Sequence, residues 1–492
     1  VANLHENLIS IDEAGTLDGL FASRVRRTPD REAYRYFDKD GKSWQSYTWG
    51  EMATEVARWQ TAMRGENVSQ GGRVAIQLRN CPQWVMFDQA ALSLGLVTVP
   101  LYTDDRPDNI AYILRDADVR ILLVQDAGRW RRLAGKLPEL ASLKRILLLD
   151  DSDAARQLAA EDSRVRIISD WLPERGGELI RRENADGKQL ASIVYTSGTT
   201  GSPKGVMLSH LNMMSVAHGG LALLDCYQED VFMSFLPLSH TMERTVGYYL
   251  CVMSGSSVAY ARSVAQLGED LITIRPTILV AVPRIFERIY GRISDQMEKK
   301  GSLAKKLFEM TVSIGWKRFL HQQGRGPWPL GSLFWPLLER VVASKVVSRL
   351  GGRIRVAISG GAALNEEIAR VFIGLGVPIV QGYGLTETAP IVSANPIEDN
   401  IPSSVGIPIR GVKVKIGEND ELLVHGPGVM LGYWNNHAAT AQVIGHDGWL
   451  RTGDQARIDE SGHIYITGRI KDILVLSNGE KIPPADMESA IV

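Results

Sequence analysis

An α/β fold, with a large N-terminal domain of parallel sheets layered with helices, is what this sequence predicts, and three features of its periodicity predict it. Short apolar runs recur between helical stretches from Gly71 to Gly384, the pattern of parallel sheets covered on both faces. Between Pro283 and Arg353 apolar residues fall at three- and four-residue spacing, which is a long helical insertion. After Gly406 strand-like runs follow one another, bounded by Gly, Asn and Asp turns, which is a β-rich subdomain.

The elements follow in order. RVAIQL, PQWVMFDQAALSL and LVTVPLY, from Arg73 onward, read as strand, amphipathic helix and strand, a βαβ unit. RILLV (120–124), RILLL (145–149) and SIVYT (192–196) are further strands, and VFMSFLPL (231–238), SSVAYA (256–261), TILVAVP (277–283), RIRVAISG (353–360) and VPIVQGYG (377–384) continue them. The insertion contains GPWPLGSLFWPLLERVV (326–342). Trp and Phe at such spacing are usually core residues, so packing on the insertion is expected, with a surface facing lipid or substrate as the alternative. VKVKIG, ELLVHG and ARIDESGHIYITG make the β-rich part, about 405–468, which closes a large domain spanning 1–468. Residues 469–492 are too few to bury a core, so the domain that begins there is expected to be truncated in this chain.

Composition narrows the function classes. With 55 Lys and Arg against 56 Asp and Glu, the net charge of −1 supplies no overall field for nucleic acid, and none is expected as a partner. Cys81, Cys226 and Cys251 are odd in number and show no metal-ligand spacing. Neither a disulfide framework nor a zinc site follows, and a reducing, cytoplasmic compartment fits best. No stretch approaches the roughly 18 apolar residues of a membrane span, and VANLHENLISIDEAG does not read as a secretory signal. Peripheral membrane contact stays open, as does a homodimer.

The most specific chemistry lies in YTSGTTGSPKG, residues 195–205. Glycines let backbone approach a ligand closely, and N–H groups and hydroxyls donate to anionic oxygens. Thr196, Ser197, Gly198, Thr199, Thr200, Gly201 and Lys204 therefore read as a polyphosphate loop. A Walker loop needs Ser or Thr after its lysine, and here Gly205 follows Lys204. A G-x-G-x-x-G dinucleotide loop is absent as well.

This segment closely resembles the phosphate-binding signature of the adenylate-forming superfamily, which includes acyl-CoA synthetases, firefly luciferase and the adenylation domains of peptide synthetases. FLPLSHTMER (235–244), SGGAAL (359–364), QGYGLTETAP (381–390), GWLRTGDQARID (448–459) and GRIKDILVLSNGEKIPP (468–484) extend the resemblance, in the family's order, over nearly the whole chain.

The resemblance implies roles. Glu387 would hold Mg²⁺, with Thr386 near the α-phosphate; one or two protein oxygens plus phosphate oxygens is a usual Mg²⁺ arrangement. Gly360, Gly361 and Ala362 would lie along adenine, with Gly382, Tyr383 and Gly384 also among the nucleotide-binding positions. Asp454 would bind the ribose hydroxyls, and Arg469 the same ribose or a phosphate. Lys471 occupies the hinge position before a small α+β domain, Gly479 the loop lining the pantetheine channel, and His240 flanks the carboxylate-binding region. A C-terminal lysine that supports adenylation in the family is missing from this sequence, so the first half-reaction is expected to be impaired in the chain as written.

The implied reaction joins a fatty acid to coenzyme A at the expense of ATP, through an acyl adenylate. VPRIFERIY (282–290) followed by the insertion resembles the long-chain fatty acyl-CoA synthetases. Three rivals share the motifs: a fatty acyl-AMP ligase loading a carrier protein, a luciferase-like monooxygenase, and a nucleotide-binding module without turnover.

Overall fold

The computed structural model describes residues 7–136, 142–182, 185–196, 202–470, 474–475 and 481–482. The chain forms two compact units, one of residues 1–218, 226–267 and 430–437, the other of 219–225, 268–429 and 438–492. Both mix helices with sheet, and among the described residues no helix is long and apolar enough to cross a membrane.

In the first unit β1 (Glu32–Asp38) and β2 (Ser43–Thr48) form a hairpin, followed by β3 (Arg73–Gln77), β4 (Val97–Pro100), β5 (Val119–Val124), β6 (Arg145–Leu148) and β7 (Val165–Ile167). Next come β8 (Leu190–Thr196), β9 (Lys204–Ser209), β10 (Val231–Ser234) and β11 (Ser257–Tyr260). One sheet runs Gly432–Tyr433, β9, β8, β4, β3, β5, β6, β7. It is parallel from β8 to β7 and antiparallel where β8 turns back into β9. Ile121, Leu122, Leu123, Ile146 and Leu147 are fully buried, each aliphatic side chain contributing roughly 1.5–3 kcal/mol. β10, β11 and β1 are parallel neighbours, with β2 antiparallel at the edge.

Two sequence expectations change here. The helix Pro82–Ser93, expected to be amphipathic, is buried on every side, with only Gln83 reaching the surface. Its polar residues Asp88 and Gln89 therefore serve interior partners. The strand expected over 231–238 stops at Ser234, because Asn80 captures the chain beyond it. The Asn80 amide donates to Ser234 Oγ (2.9 Å) and the Leu236 carbonyl (2.6 Å), and its Oδ1 accepts from Leu238 N (3.0 Å). Pro237 has no N–H to offer a ladder.

The interior partner of Asp88 is Arg244, at the end of the short helix Thr241–Arg244. Its guanidinium reaches Asp88 Oδ1 (2.6 Å), Ser192 Oγ on β8 (2.6 Å), Thr98 Oγ1 on β4 (2.7 Å) and the Tyr249 hydroxyl (3.0 Å). Tyr249 and Tyr248 donate to the other Asp88 oxygen, and the Trp84 ring lies 5.2 Å below the cation.

The second unit carries β12 (Ile278–Ala281), β13 (Val356–Ser359) and β14 (Ile379–Gly384) in parallel, extended antiparallel by β15 (Ile391–Ala394) and β16 (Ile407–Pro408). A four-stranded antiparallel sheet follows: β17 (Lys413–Ile416), β18 (Glu421–His425), β19 (Leu450–Ile458) and β20 (Ile464–Arg469). It buries Leu422, Val424, Ala456 and Ile464 with Val392. Leu474–Val475 and Lys481–Ile482 make a two-residue antiparallel ribbon.

The helical insertion is present between β12 and β13, as Pro283–Lys299 and Ser302–Gln322 broken at Gly301, then short helical pieces from Leu330 to Leu350. Helix Ser302–Gln322 crosses Glu366–Gly374 at two glycines. A Cβ on Gly315 would lie 1.9 Å from the Gly374 carbonyl oxygen, so only glycine permits the approach. Packing is the outcome for Trp335, buried with Val312, Val371 and Leu375. Trp328 and Phe334 are exposed instead, because the segment has apolar residues on two faces and only one meets a partner.

Asp88→Ala leaves a guanidinium buried without its counter-charge. It is expected to destabilise the fold by about 3–5 kcal/mol, read from the urea midpoint. Asp88→Leu combined with Arg244→Met, which removes both charges, is expected to regain most of that loss.

Candidate functional site

In the first unit Thr196 and Lys204 are direct partners across β8 and β9, so the segment expected to bind phosphate begins and ends at one place on the sheet. Ser197, Gly198, Thr199, Thr200 and Gly201 lie outside the described residues, as do Lys471 and Gly479. The loop's stem is firmly built. Tyr195 donates to Asp116 at 2.5 Å, and Trp434 Nε1 donates to the Asp116 carbonyl at 2.9 Å. A Cβ on Gly205 would lie 2.8 Å from Ile193 and 3.1 Å from Trp434. The Lys204 ammonium stands 5.2 Å from the Tyr433 ring centre, a cation–π contact.

His240 begins the helix Thr241–Arg244, and its Nδ1 accepts from Met242 N at 3.1 Å. Burial holds its pKa below the usual histidine value, so the ring is neutral at neutral pH. With Nδ1 accepting, the proton resides on Nε2. His240 therefore combines a capping job with a second nitrogen that donates, as a carboxylate ligand requires.

Close by is Glu243, which the motifs alone did not single out. This side chain is buried, has Ser234 beside it, and forms no normal hydrogen bond through either carboxyl oxygen. Burial pushes its pKa up to about 8. The adjacent ionisable residues of SHTMER, set in a mostly apolar stretch, were the available signal.

In the second unit β13 and β14 run in register, Ser359 opposite Gln381. The turn Gly360–Ala362 and the stretch Gly382–Gly384 are therefore neighbours at the carboxyl ends of parallel strands, the usual ligand edge of an open α/β sheet. Gly361 takes φ +82, and among the described residues Val282 alone comes within 4 Å of where its Cβ would stand. Gly361 and Ala362 are exposed. That is bare backbone against which a flat ring fits.

The turn after β14 is fixed tightly. A Cβ on Gly384 would lie 1.7 Å from the Pro390 carbonyl oxygen, Leu385 N donates to that same oxygen at 2.9 Å, and the Thr388 hydroxyl donates to it at 2.7 Å. Thr386 and Glu387 form the single helical turn at its tip, both half-buried.

Asp454 joins this edge through Tyr383, whose hydroxyl donates to its Oδ2 at 2.6 Å, while Arg469 Nε donates to Oδ1 at 2.9 Å. β19 and β20 set that pair, Asp454 lying directly opposite Arg469. Asp454 is buried whereas the Arg469 side chain is 60% exposed. Burial and the neighbouring carboxylate hold the Tyr383 pKa well above the usual phenol value, so it stays a donor. Each carboxylate oxygen keeps a further lone pair for a ligand hydroxyl. Thr452, inside the quoted GWLRTGDQARID segment but given no role there, positions the acid: its Oγ1 accepts from Asp454 N at 3.1 Å and donates to the Leu422 carbonyl at 2.8 Å.

Among the described residues no group of three His, Cys, Asp or Glu side chains gathers as a metal site. Glu387 is a single carboxylate on a rigid turn, which fits a Mg²⁺ ion held mainly by phosphate oxygens and water.

The AMP-binding enzyme family matches residues 21–434. Long chain acyl-CoA synthetase 7, peroxisomal, of Arabidopsis thaliana is 30% identical over 507 residues, covering 99% of this chain and 69% of its own. The long-chain-fatty-acid CoA ligase FadD15 of Mycobacterium bovis is 29% identical over 485 residues, covering 98% and 79%. A fatty acyl CoA synthetase of Mycobacterium tuberculosis superposes with a TM-score of 0.73 at 21% identity, over 98% of this chain and 83% of that one. The anthranilate CoA ligase AuaEII, bound to anthranoyl-AMP, gives 0.73 at 20% identity over 96% and 80%. The chain belongs to the AMP-binding enzyme family, within the adenylate-forming superfamily, and these relatives are acid–CoA ligases by name.

Glu243 has a consequence for stability. An acid ordinarily near 4.5 that titrates at about 8 in the fold holds a proton that the unfolded chain releases, so its contribution is complete below pH 4.5 and is lost as pH rises through 8. Glu243→Gln stays neutral throughout. Its melting temperature relative to the wild type is expected to climb by a few degrees across that window in thermal scans at stepped pH; a constant difference would mean that Glu243 ionises normally.

Proposed function

We propose that the protein activates a long-chain fatty acid with ATP and passes the acyl group to coenzyme A. The observation that carries the nucleotide half is the edge formed by Gly360–Ala362, Tyr383 and the Asp454–Arg469 pair. There, bare backbone would lie against the base and the anchored carboxylate would accept from the ribose diol. The long-chain half rests on the insertion between β12 and β13 and on the names of the relatives.

In the first step a fatty acid carboxylate oxygen bonds to the α-phosphorus of ATP, and the bond from that phosphorus to the bridging oxygen breaks, releasing pyrophosphate. In the second, the coenzyme A thiolate attacks the acyl carbon and AMP leaves with the electron pair of the C–O bond. The protein's task is positioning and charge neutralisation, with no covalent intermediate on a side chain. Lys204 and the N–H groups of the 197–201 loop would meet the phosphates, Thr386 the α-phosphate, and Asp454 the ribose. Glu387 would hold Mg²⁺, which when bound neutralises phosphate charge. His240, donating from Nε2, would face the carboxylate. Residues 469–492 would serve as a hinge and the start of a small α+β domain, with Lys471 in the hinge and Gly479 beside the pantetheine channel.

The direct test is mass spectrometry of products from palmitate, ATP, Mg²⁺ and coenzyme A with the full-length protein. Palmitoyl-CoA is the expected product. Palmitoyl-AMP without thioester would point to a carrier-loading ligase, and neither product would reject the long-chain substrate. Glu387→Ala is expected to lower adenylate formation by about 10²- to 10³-fold, the range for loss of one group that stabilises transition-state charge. Asp454→Asn is expected to raise KM for ATP by about tenfold or more, as charged hydrogen bonds to the ribose weaken, with less effect on kcat.

A further inference from the structure

Between Leu330 and Val341 the helical insertion is apolar on two sides. Trp335 and Leu338 face inward and are buried. Leu330, Leu333, Phe334 and Leu337 are each between 62% and 83% exposed, and Val341 continues the series. Their spacing of three and four residues places them along one outer stripe, where a soluble helix ordinarily carries polar residues. Trp328, also exposed, precedes it. A contiguous apolar stripe on a surface marks a contact.

The charge of the sequence that carries the stripe indicates what it touches. From Lys299 to Arg349 there are ten Lys and Arg residues against two acids, Glu309 and Glu339, in a chain whose net charge is only −1. Arg340 and Lys345 are exposed and follow the stripe closely in sequence. Apolar residues for the acyl boundary with cations for the headgroups are the features of an interfacial helix on an anionic bilayer. A second copy of the chain would set the same excess of positive charge against itself, which disfavours a homodimer through this face.

We propose that the exposed stripe Leu330–Val341 lies on an anionic lipid surface and holds the protein at the bilayer as a peripheral protein. The stripe enters the acyl boundary while Arg340, Lys345 and neighbouring cations meet lipid phosphates. This goes beyond the proposed reaction and does not depend on it, since docking needs neither ATP nor acyl substrate.

The experiment is flotation of the full-length protein, without nucleotide or fatty acid, on vesicles of phosphatidylcholine containing phosphatidylglycerol and on vesicles of phosphatidylcholine alone. Binding is expected on the anionic vesicles and to weaken with salt. The variant carrying L333S, F334S and L337S, whose changes are on the surface, is expected to bind about tenfold less or weaker still with an unchanged circular dichroism spectrum. R340E with K345E is expected to lose binding to anionic vesicles selectively. Equal flotation of the triple variant, or no flotation of the wild type, overturns the proposal. So does a concentration-dependent dimer that the triple variant dissolves while vesicles bind neither form, which would assign the stripe to a second copy.

Discussion

Much of the first unit depends on one buried ion pair. Arg244 and Asp88 are almost completely shielded from solvent, where an unpaired charge would be prohibitive. The guanidinium satisfies itself by reaching β4, β8 and the helix Pro82–Ser93 at once. β8 and the helix that carries Arg244 arise far in the sequence from helix Pro82–Ser93 and β4, so the pair joins segments that no local pattern brings together. Two of the proposed site segments adjoin it: β8 ends at Thr196, where the segment proposed to bind phosphate begins, and Arg244 lies four residues after His240, which caps the same short helix.

The second unit reaches similar precision by register and close approach. Parallel pairing of β13 with β14 puts two glycine-containing turns beside one another, and antiparallel pairing of β19 with β20 puts Asp454 opposite Arg469. The Tyr383 hydroxyl then links the two sheets through Asp454. Gly384 has no room for a side chain against Pro390, so the turn presenting Thr386 and Glu387 has little freedom to relax. A site that stabilises charge by orientation benefits from donors and acceptors that need no rearrangement when the ligand arrives.

Much of this was legible in the sequence because it is local. Strands such as RILLV and SIVYT, the insertion's helical period and the glycine-rich turns each declare themselves within a few residues. What stayed hidden is long-range. Nothing near Asn80 says that it will end the strand at Ser234, and nothing near Asp88 names Arg244 as its partner. Thr452 looks like part of a turn and proves to hold Asp454. The helix Pro82–Ser93 reads as amphipathic because an acid and a glutamine in an apolar run look like a solvent face, until the buried arginine and tyrosines that receive them are known.

The insertion shows the converse limit. Apolar spacing identifies a helix that must bury something, but it does not count how many faces will find partners within the chain. Trp335 and Phe334 are adjacent aromatic residues with equal claims to the core by composition. Helical geometry sends them in different directions, and the glycine crossing at Gly315 and Gly374 lets the insertion approach on one side only. The inner residues are secured by Val312, Val371 and Leu375. For Phe334, Leu333 and Leu337 the same hydrophobic driving force remains unspent in the isolated chain. That unspent force, followed closely in sequence by the exposed cations Arg340 and Lys345, is the physical reason to look for the missing surface outside the protein.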